Sequence, residues 1–139
     1  MKEKVLKFGA DDVPGVKTPT GTTVKMLIHP ESTGKPVTIP LSILLVILPP
    51  GTETDEHVHE DSDEYEYFAT GKGMLYRNGK EVGIVGPNTI VYNPKGALHK
   101  VKNVGSEEIY LLRVHIPPLP HAGLIGKAID LAKDFFKKQ

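Results

Sequence analysis

No cysteine occurs anywhere in the chain. Disulfide staples and thiolate metal sites are therefore excluded, and any metal must be held by histidine and carboxylate. A net charge is absent too: 17 basic and 17 acidic side chains cancel over 139 residues, a balance that points to neither a nucleic acid nor a membrane as partner. Long hydrophobic runs are also missing. The longest, Ile43 to Leu48 within PLSILLVILPP, is far too short to span a bilayer. The start, MKEKVLKFGADD, carries charge but no apolar core of signal-peptide length. No internal repeat or low-complexity segment is visible. The expectation is a cytoplasmic protein built as one domain over residues 1–139, long enough to bury a core without staples.

What is present reads mostly as strand. Short apolar or alternating runs, Val24 to Ile28, Ile43 to Leu48, Tyr65 to Ala69, Met74 to Tyr76, Ile90 to Tyr92, His99 to Val104 and Ile109 to Ile116, are separated by Gly, Pro, Asn and Asp at short intervals. Such spacing predicts a sandwich or barrel, placed at about residues 20–118. Asn78-Gly79 between MLYR and KEVGIV predicts a two-residue hairpin, because both residues accept the positive φ of a type I′ turn. After IPPLPHAG the period changes. Leu124, Ile125, Ala128, Ile129, Leu131, Ala132, Phe135 and Phe136 recur at helical spacing, which predicts one amphipathic helix at about residues 122–138. Its mixed charges suit covering a flank of a sheet, its own or a partner's, better than lying on a membrane.

The richest segment is GTETDEHVHEDSDEYEYFATG, residues 51–71, with two histidines and eight carboxylates between glycines. His57 and His59 are two apart, so on a strand both imidazoles point to one face, where they share an ion. Glu64 follows after the turn-forming EDSD, which lets the chain double back and set a carboxylate beside them. His99 comes later in NPKGALHKVKN, just after Pro94 and Gly96. Three imidazoles and one carboxylate suit Fe, Mn, Ni, Zn, Co or Cu and leave coordination positions open. The remaining acids, Glu53, Asp55, Glu56, Glu60, Asp61 and Asp63, read as a solvated loop. DSDEY lacks the glycine and the twelfth-position glutamate of an EF-hand.

These residues resemble the two motifs of the cupin superfamily. Gly51, five residues, His57-x-His59, four residues, Glu64, six residues and Gly71 match the first motif throughout. Pro94-x-Gly96-x-x-His99-x-x-x-Asn103 matches the body of the second. The glycine expected to open the second motif is Asn88, the other residue that accepts a left-handed turn. The likeness covers about residues 40–117. It implies an all-β double-stranded β-helix, a jelly-roll barrel, with His57, His59, Glu64 and His99 holding one divalent transition metal inside it. It also implies a homodimer, which an apolar helix face in need of cover would favour.

Other positions are weighed by period. Glu66 shares the face of Glu64 and is expected to point into the barrel beside the metal. There it is a catalytic proton-transfer candidate, or else the partner of Arg77, Arg113 or a lysine. Tyr76, Tyr92 and His115 are expected to contact the substrate, and Asn103 to satisfy backbone groups in a turn. His29 and His121 read as structural. The leading expectation is a metal-dependent enzyme acting on a small oxygenated metabolite by isomerase, lyase or decarboxylase, or dioxygenase chemistry. The alternative is a non-catalytic module that binds or senses a sugar or carboxylate. Fold alone does not choose between them. A barrel lining with several polar groups around an open metal face favours the enzyme.

Overall fold

The structure is a computed structural model that describes residues 6–33 and 40–139. The first residues of the charged start read above therefore lie outside the described residues. Nine strands, β1 (Val16–Lys17), β2 (Thr23–Ile28), β3 (Ser42–Leu48), β4 (Asp63–Phe68), β5 (Gly73–Arg77), β6 (Lys80–Val85), β7 (Thr89–Asn93), β8 (His99–Asn103) and β9 (Ile109–Ile116), are followed by the helix α2 (Gly123–Lys137). A short helix, α1 (Pro30–Thr33), intervenes after β2. The strands form a six-stranded sheet in the order β1-β2-β3-β9-β4-β7 and a three-stranded sheet in the order β6-β5-β8. All pairs are antiparallel. This is the jelly-roll arrangement expected.

The period-two pattern sorts side chains into and out of the barrel. On β4, Glu64, Glu66 and Phe68 are buried, while Tyr65 is exposed. Opposite them β9 presents His115, Arg113 and Leu111, paired with Glu64, Glu66 and Phe68 in that order. On its other edge β9 pairs with β3, so that Leu48, Val46, Leu44 and Ser42 face Ile109, Leu111, Arg113 and His115. The inner face is thus divided along the strands. One end is closed by Phe68, Leu48, Val46, Ile109 and Leu111, all buried; the other end carries glutamate, arginine and histidine.

Turn chemistry behaves as the residue types require. Asn78 (φ 51°) and Gly79 (φ 78°) both lie in the left-handed region between β5 and β6, so the hairpin is the one expected. Asn88 adopts φ 61° before β7, taking the conformation for which glycine was expected. Helix α2 packs on α1 and β2, burying Ala128, Ile129 and Ala132. Its far end meets Phe8, whose ring lies 4.9 Å from Phe136 and 6.3 Å from Phe135. The apolar stripe is covered by the chain's own β2 flank, so it does not by itself call for a second copy. Among the described residues no helix is long and apolar enough to cross a membrane.

Gly71 links β4 to β5 with φ +83°, and a Cβ there would sit 2.6 Å from Ile109 Cγ1 and 3.0 Å from the Glu108 carbonyl oxygen. Gly71→Ala is therefore expected to lower unfolding free energy by about 1–3 kcal/mol, from backbone conformation alone and more from the clash. Urea denaturation checks it. A variant as stable as the parent would show that this turn relaxes freely.

Candidate metal centre

His57 and His59 do not sit on a regular strand, as expected from their spacing, but on an extended segment running beside β8. Two isolated bridges tie it there, Glu53 to Lys102 and His57 to His99. Three residues on one side oppose two on the other between these bridges, so the segment carries a one-residue bulge that breaks the ladder. The functional expectation survives the correction. The His57 and His59 rings lie 4.7 Å apart, and His57 lies 4.2 Å from His99. Backbone bonds from His57 N to His99 O (3.1 Å) and from His99 N to His57 O (3.0 Å) hold that pair in register.

The imidazoles are oriented from behind. His57 Nδ1 donates to the Asp55 carbonyl (2.6 Å) and His99 Nδ1 to the Ala97 carbonyl (2.9 Å). Each Nε2 is thereby left with its lone pair facing inward, the tautomer a metal needs. Glu64 meets these nitrogens at 2.7 Å from His99, 3.5 Å from His59 and 3.9 Å from His57. Ligand atoms of His57, His59, Glu64 and His99 all lie within 4.8 Å of one another. The contact between His99 Nε2 and Glu64 is short but lacks hydrogen-bond geometry, and this buried nitrogen has no partner among the described residues. A contact this close between an imidazole nitrogen and a carboxylate oxygen calls for a proton or a metal ion shared by the two. The donor set, all nitrogen and oxygen, suits a divalent transition ion and does not select one.

Glu64 is 1% exposed and is held from three further directions. Asn93 Nδ2 donates to its Oε2 (2.8 Å), His115 Nε2 to its Oε1 (2.7 Å), and Arg113 Nε stands 3.7 Å away. Burial alone would raise its carboxyl, but the Arg113 charge and the surrounding imidazoles outweigh it and hold the group well below the usual carboxylate range. Burial lowers His57 and His115, with Glu64 offsetting part of the effect. His99 goes the other way: burial opposes its charge, but the close Glu64 carboxylate more than compensates and raises it.

The structure brings some expected residues to the site and leaves others out. Glu66 points inward, 1% exposed. Its Oε2 accepts from Arg113 Nε (2.8 Å) and its Oε1 from Asn93 Nδ2 (2.7 Å), so it is ion-paired with Arg113. His115 is buried against Glu64. Tyr92 is on the outer face, stacked near Tyr65 at 5.2 Å with its hydroxyl donating to Asp63. Tyr76 shares the outer face of β5 with Lys100, whose ammonium lies 4.8 Å over its ring. The inner position beside Tyr92 belongs to Asn93, which pairs with Glu64 across β4 and β7. Asn103 donates to the Leu48 and Glu107 carbonyls, the backbone role expected. His29 bonds the Leu119 carbonyl, and His121 bonds Asp130.

Asn93 and Arg113 are the residues that sequence reasoning missed as site members. A charged residue inside the apolar run IYLLRVHI, on the same face as His115, was the available signal for Arg113.

A cavity of about 220 Å³ opens beside His57 and His59, with Arg113 and His115 also in its wall. A smaller one, about 170 Å³, lies across the network and is lined by Glu66, Arg77, Asn93 and His99. Of the two, only the smaller is lined by a buried carboxylate, Glu66.

Protons compete with an ion for the imidazoles, so the raised His99 decides where binding fails on acidification. In the metal-free chain His99 charges at a higher pH than His57 does. Metal affinity is expected to drop by about tenfold per pH unit once below the raised His99 value, beginning above the ordinary imidazole range. Chelator competition between about pH 8 and pH 5 measures this. Loss confined to carboxylate protonation would show that His99 is not a ligand.

A cupin-domain family model matches residues 44–115, more than half of the chain. An uncharacterized protein of Methanocaldococcus jannaschii is 27% identical over 118 residues, covering 85% of this chain and 91% of that one. An oxalate-binding protein of Thermotoga maritima is 33% identical over 69 residues, which are 50% of this chain and 56% of that protein. Among solved structures, a cupin 2 conserved barrel domain protein from Salinispora arenicola superposes with a TM-score of 0.68 at 18% identity, over 98% of each chain. Sequence match, jelly-roll topology and the two histidine-bearing motifs agree, and the chain belongs to the cupin family.

Proposed function

We propose that the chain is a cytoplasmic, mononuclear metal enzyme that acts on a small oxygenated metabolite. One observation carries the reading: the unpartnered His99 nitrogen set 2.7 Å from Glu64, at the centre of a donor cluster beside an open cavity. His57, His59, Glu64 and His99 hold one divalent ion, which supplies Lewis-acid polarisation of a bound oxygen. The cavity wall is mixed, with Arg113, His115 and three threonines beside aliphatic residues. Convergent polar groups at an open site are what a reaction needs and a purely apolar binder does not. Isomerase, lyase or decarboxylase, and dioxygenase chemistries all use such a site.

A second reading has support of its own. The Thermotoga relative is an oxalate-binding protein, which favours a module that captures or senses a carboxylate without turnover. The two readings part on whether a bound metabolite is changed.

Glu66 acts chiefly as a positioning residue in this proposal. Both its oxygens already accept from Arg113 and Asn93, and the wall of the larger cavity is formed by Arg113 rather than by Glu66. His115 positions Glu64 from behind, as carboxylate partners do for metal ligands.

Paired variants test the assignment. His99→Ala removes a donor from the three-stranded side and is expected to abolish most metal retention while circular dichroism stays native. Glu66→Gln is expected to keep the ion. It should weaken acid binding by about tenfold through a misplaced Arg113, whereas a proton-transfer role would instead cut turnover by roughly 10²–10⁴ with binding intact. Full metal content in His99→Ala by elemental analysis would remove the basis of the reading.

A homodimer is part of the same proposal. The outer face of the large sheet leaves Ile90 71% exposed, with Tyr65, Tyr92 and Ile116 also open, and Ile90 and Tyr92 lie on the edge strand β7. An edge with exposed apolar residues invites pairing with another copy. Light scattering at micromolar concentration is expected to give twice the chain mass, and Ile90→Glu to give the single mass. A wild-type monomer would refute it.

A further inference from the structure

The cavity beside the metal ligands is mixed in chemistry. Aliphatic side chains, Leu44, Leu119 and Ile125 among them, share its lining with His57, His59, Arg113, His115 and three threonines. Its volume of about 220 Å³ equals roughly seven water-sized portions, enough for about seven or eight non-hydrogen atoms.

Two nitrogens of its polar residues are buried and have no partner among the described residues, Arg113 Nη2 and His115 Nδ1. Arg113 Nη2 is a donor. His115 Nε2 bonds the Glu64 carboxylate at 2.7 Å, so that nitrogen carries the proton and Nδ1 is an acceptor. Leaving such groups unsatisfied is costly in a folded protein. A ligand with an anionic oxygen for Arg113 and a hydroxyl for His115 satisfies both.

Charge limits the ligand further. Arg113 faces Glu66 at 2.8 Å and Glu64 at 3.7 Å, so these three groups together keep one negative charge. A divalent ion in the donor cluster turns that into one positive charge. A single carboxylate balances it, whereas a second would leave a net negative charge among threonines and aliphatic side chains that supply no counter-charge. Asp55, exposed at the rim, adds a further penalty for a dianion.

Resting on the metal-site reading above, we infer that this cavity takes a short 2-hydroxy monocarboxylic acid. The carboxylate lies on Arg113, the hydroxyl on His115, and an apolar tail of about two or three carbons along Leu44, Leu119 and Ile125.

Calorimetry on the chain loaded with Mn²⁺ tests this, using lactate, 2-hydroxybutyrate, 2-hydroxypentanoate and 2-hydroxyoctanoate, with pentanoate and oxalate as controls. Affinity is expected to rise by about fourfold per methylene up to 2-hydroxypentanoate and then stop. Pentanoate, lacking the hydroxyl, should bind about tenfold more weakly than its 2-hydroxy counterpart. Arg113→Lys keeps a cation beside Glu66 and is expected to retain the ion while losing about tenfold or more for every acid. Ile125→Trp, which fills the tail space, should bind lactate like the parent and lose the gain with chain length. A flat series, oxalate binding most tightly, or an unchanged Arg113→Lys overturns the acid assignment. A wild-type chain that retains no Mn²⁺ overturns the metal reading instead, and titration of the metal-free chain with the same series keeps the two failures apart.

Discussion

An ionised carboxylate in the middle of a barrel is the constraint on which the rest of this structure turns. Removing Glu64 from water costs several kcal/mol unless charges and donors replace its hydration. The replacements come from the two strands that flank β4. Asn93 of β7 and His115 of β9 reach its two oxygens, and Arg113 of β9 supplies opposite charge. The side left over faces the imidazoles. Register is what makes this possible, since Glu64 pairs with Asn93 on one edge of β4 and with His115 on the other. A slip of one residue on either edge would send these partners to the outer face.

Glu66 and Arg113 form the next layer inward, and the aliphatic and aromatic plug of Phe68, Leu111 and Val46 lies beyond them. The order is physically sensible. Each step away from the mouth lowers the local polarity, and the arginine neutralises the second glutamate before the apolar zone begins. Asn93 ties the layers together by donating to both glutamates while its carbonyl oxygen accepts from Arg77 at 2.6 Å. Such networks stabilise only when their members are satisfied. The atoms that remain open, Arg113 Nη2, His115 Nδ1 and His99 Nε2, are grouped where an ion and a ligand would meet them.

Local chemistry made much of this legible before any coordinates. The Asn78-Gly79 turn, the left-handed Asn88 and the alternation along β4 each follow from a residue's own conformational and hydrophobic preferences. The helix was equally plain from its period, with bounds at Gly123 and Lys137. Contacts that depend on register were not legible. Asn93 looks like a strand-end turn residue until Glu64 is known to lie opposite, and that pairing sends its neighbour Tyr92 to the outer face. Tyr76 takes the outer face of β5 by the same parity and still borders the smaller cavity. The strand β1 has only two residues and α1 only four, too few for any period to register. The bulge between Glu53 and His57 depends on pairing with β8 across more than forty positions of sequence, and no local signal announces it.

That bulge also bears on how the two sheets are joined. His99 belongs to the three-stranded sheet and His57 is bridged to it, whereas Glu64 belongs to the six-stranded one. Between them the Glu64 carboxylate stands 2.7 Å from His99 Nε2 and raises that imidazole's affinity for a proton. A metal ion held by the four ligands would take the proton's place and link both sheets. Binding energy then becomes cohesion between sheets, because ligands so placed do not exist together in an unfolded chain. His57, His59, Glu64 and His99 belong to segments on both sheets, while Arg113 and His115, which hold Glu64 from β9, also line the cavity beside them.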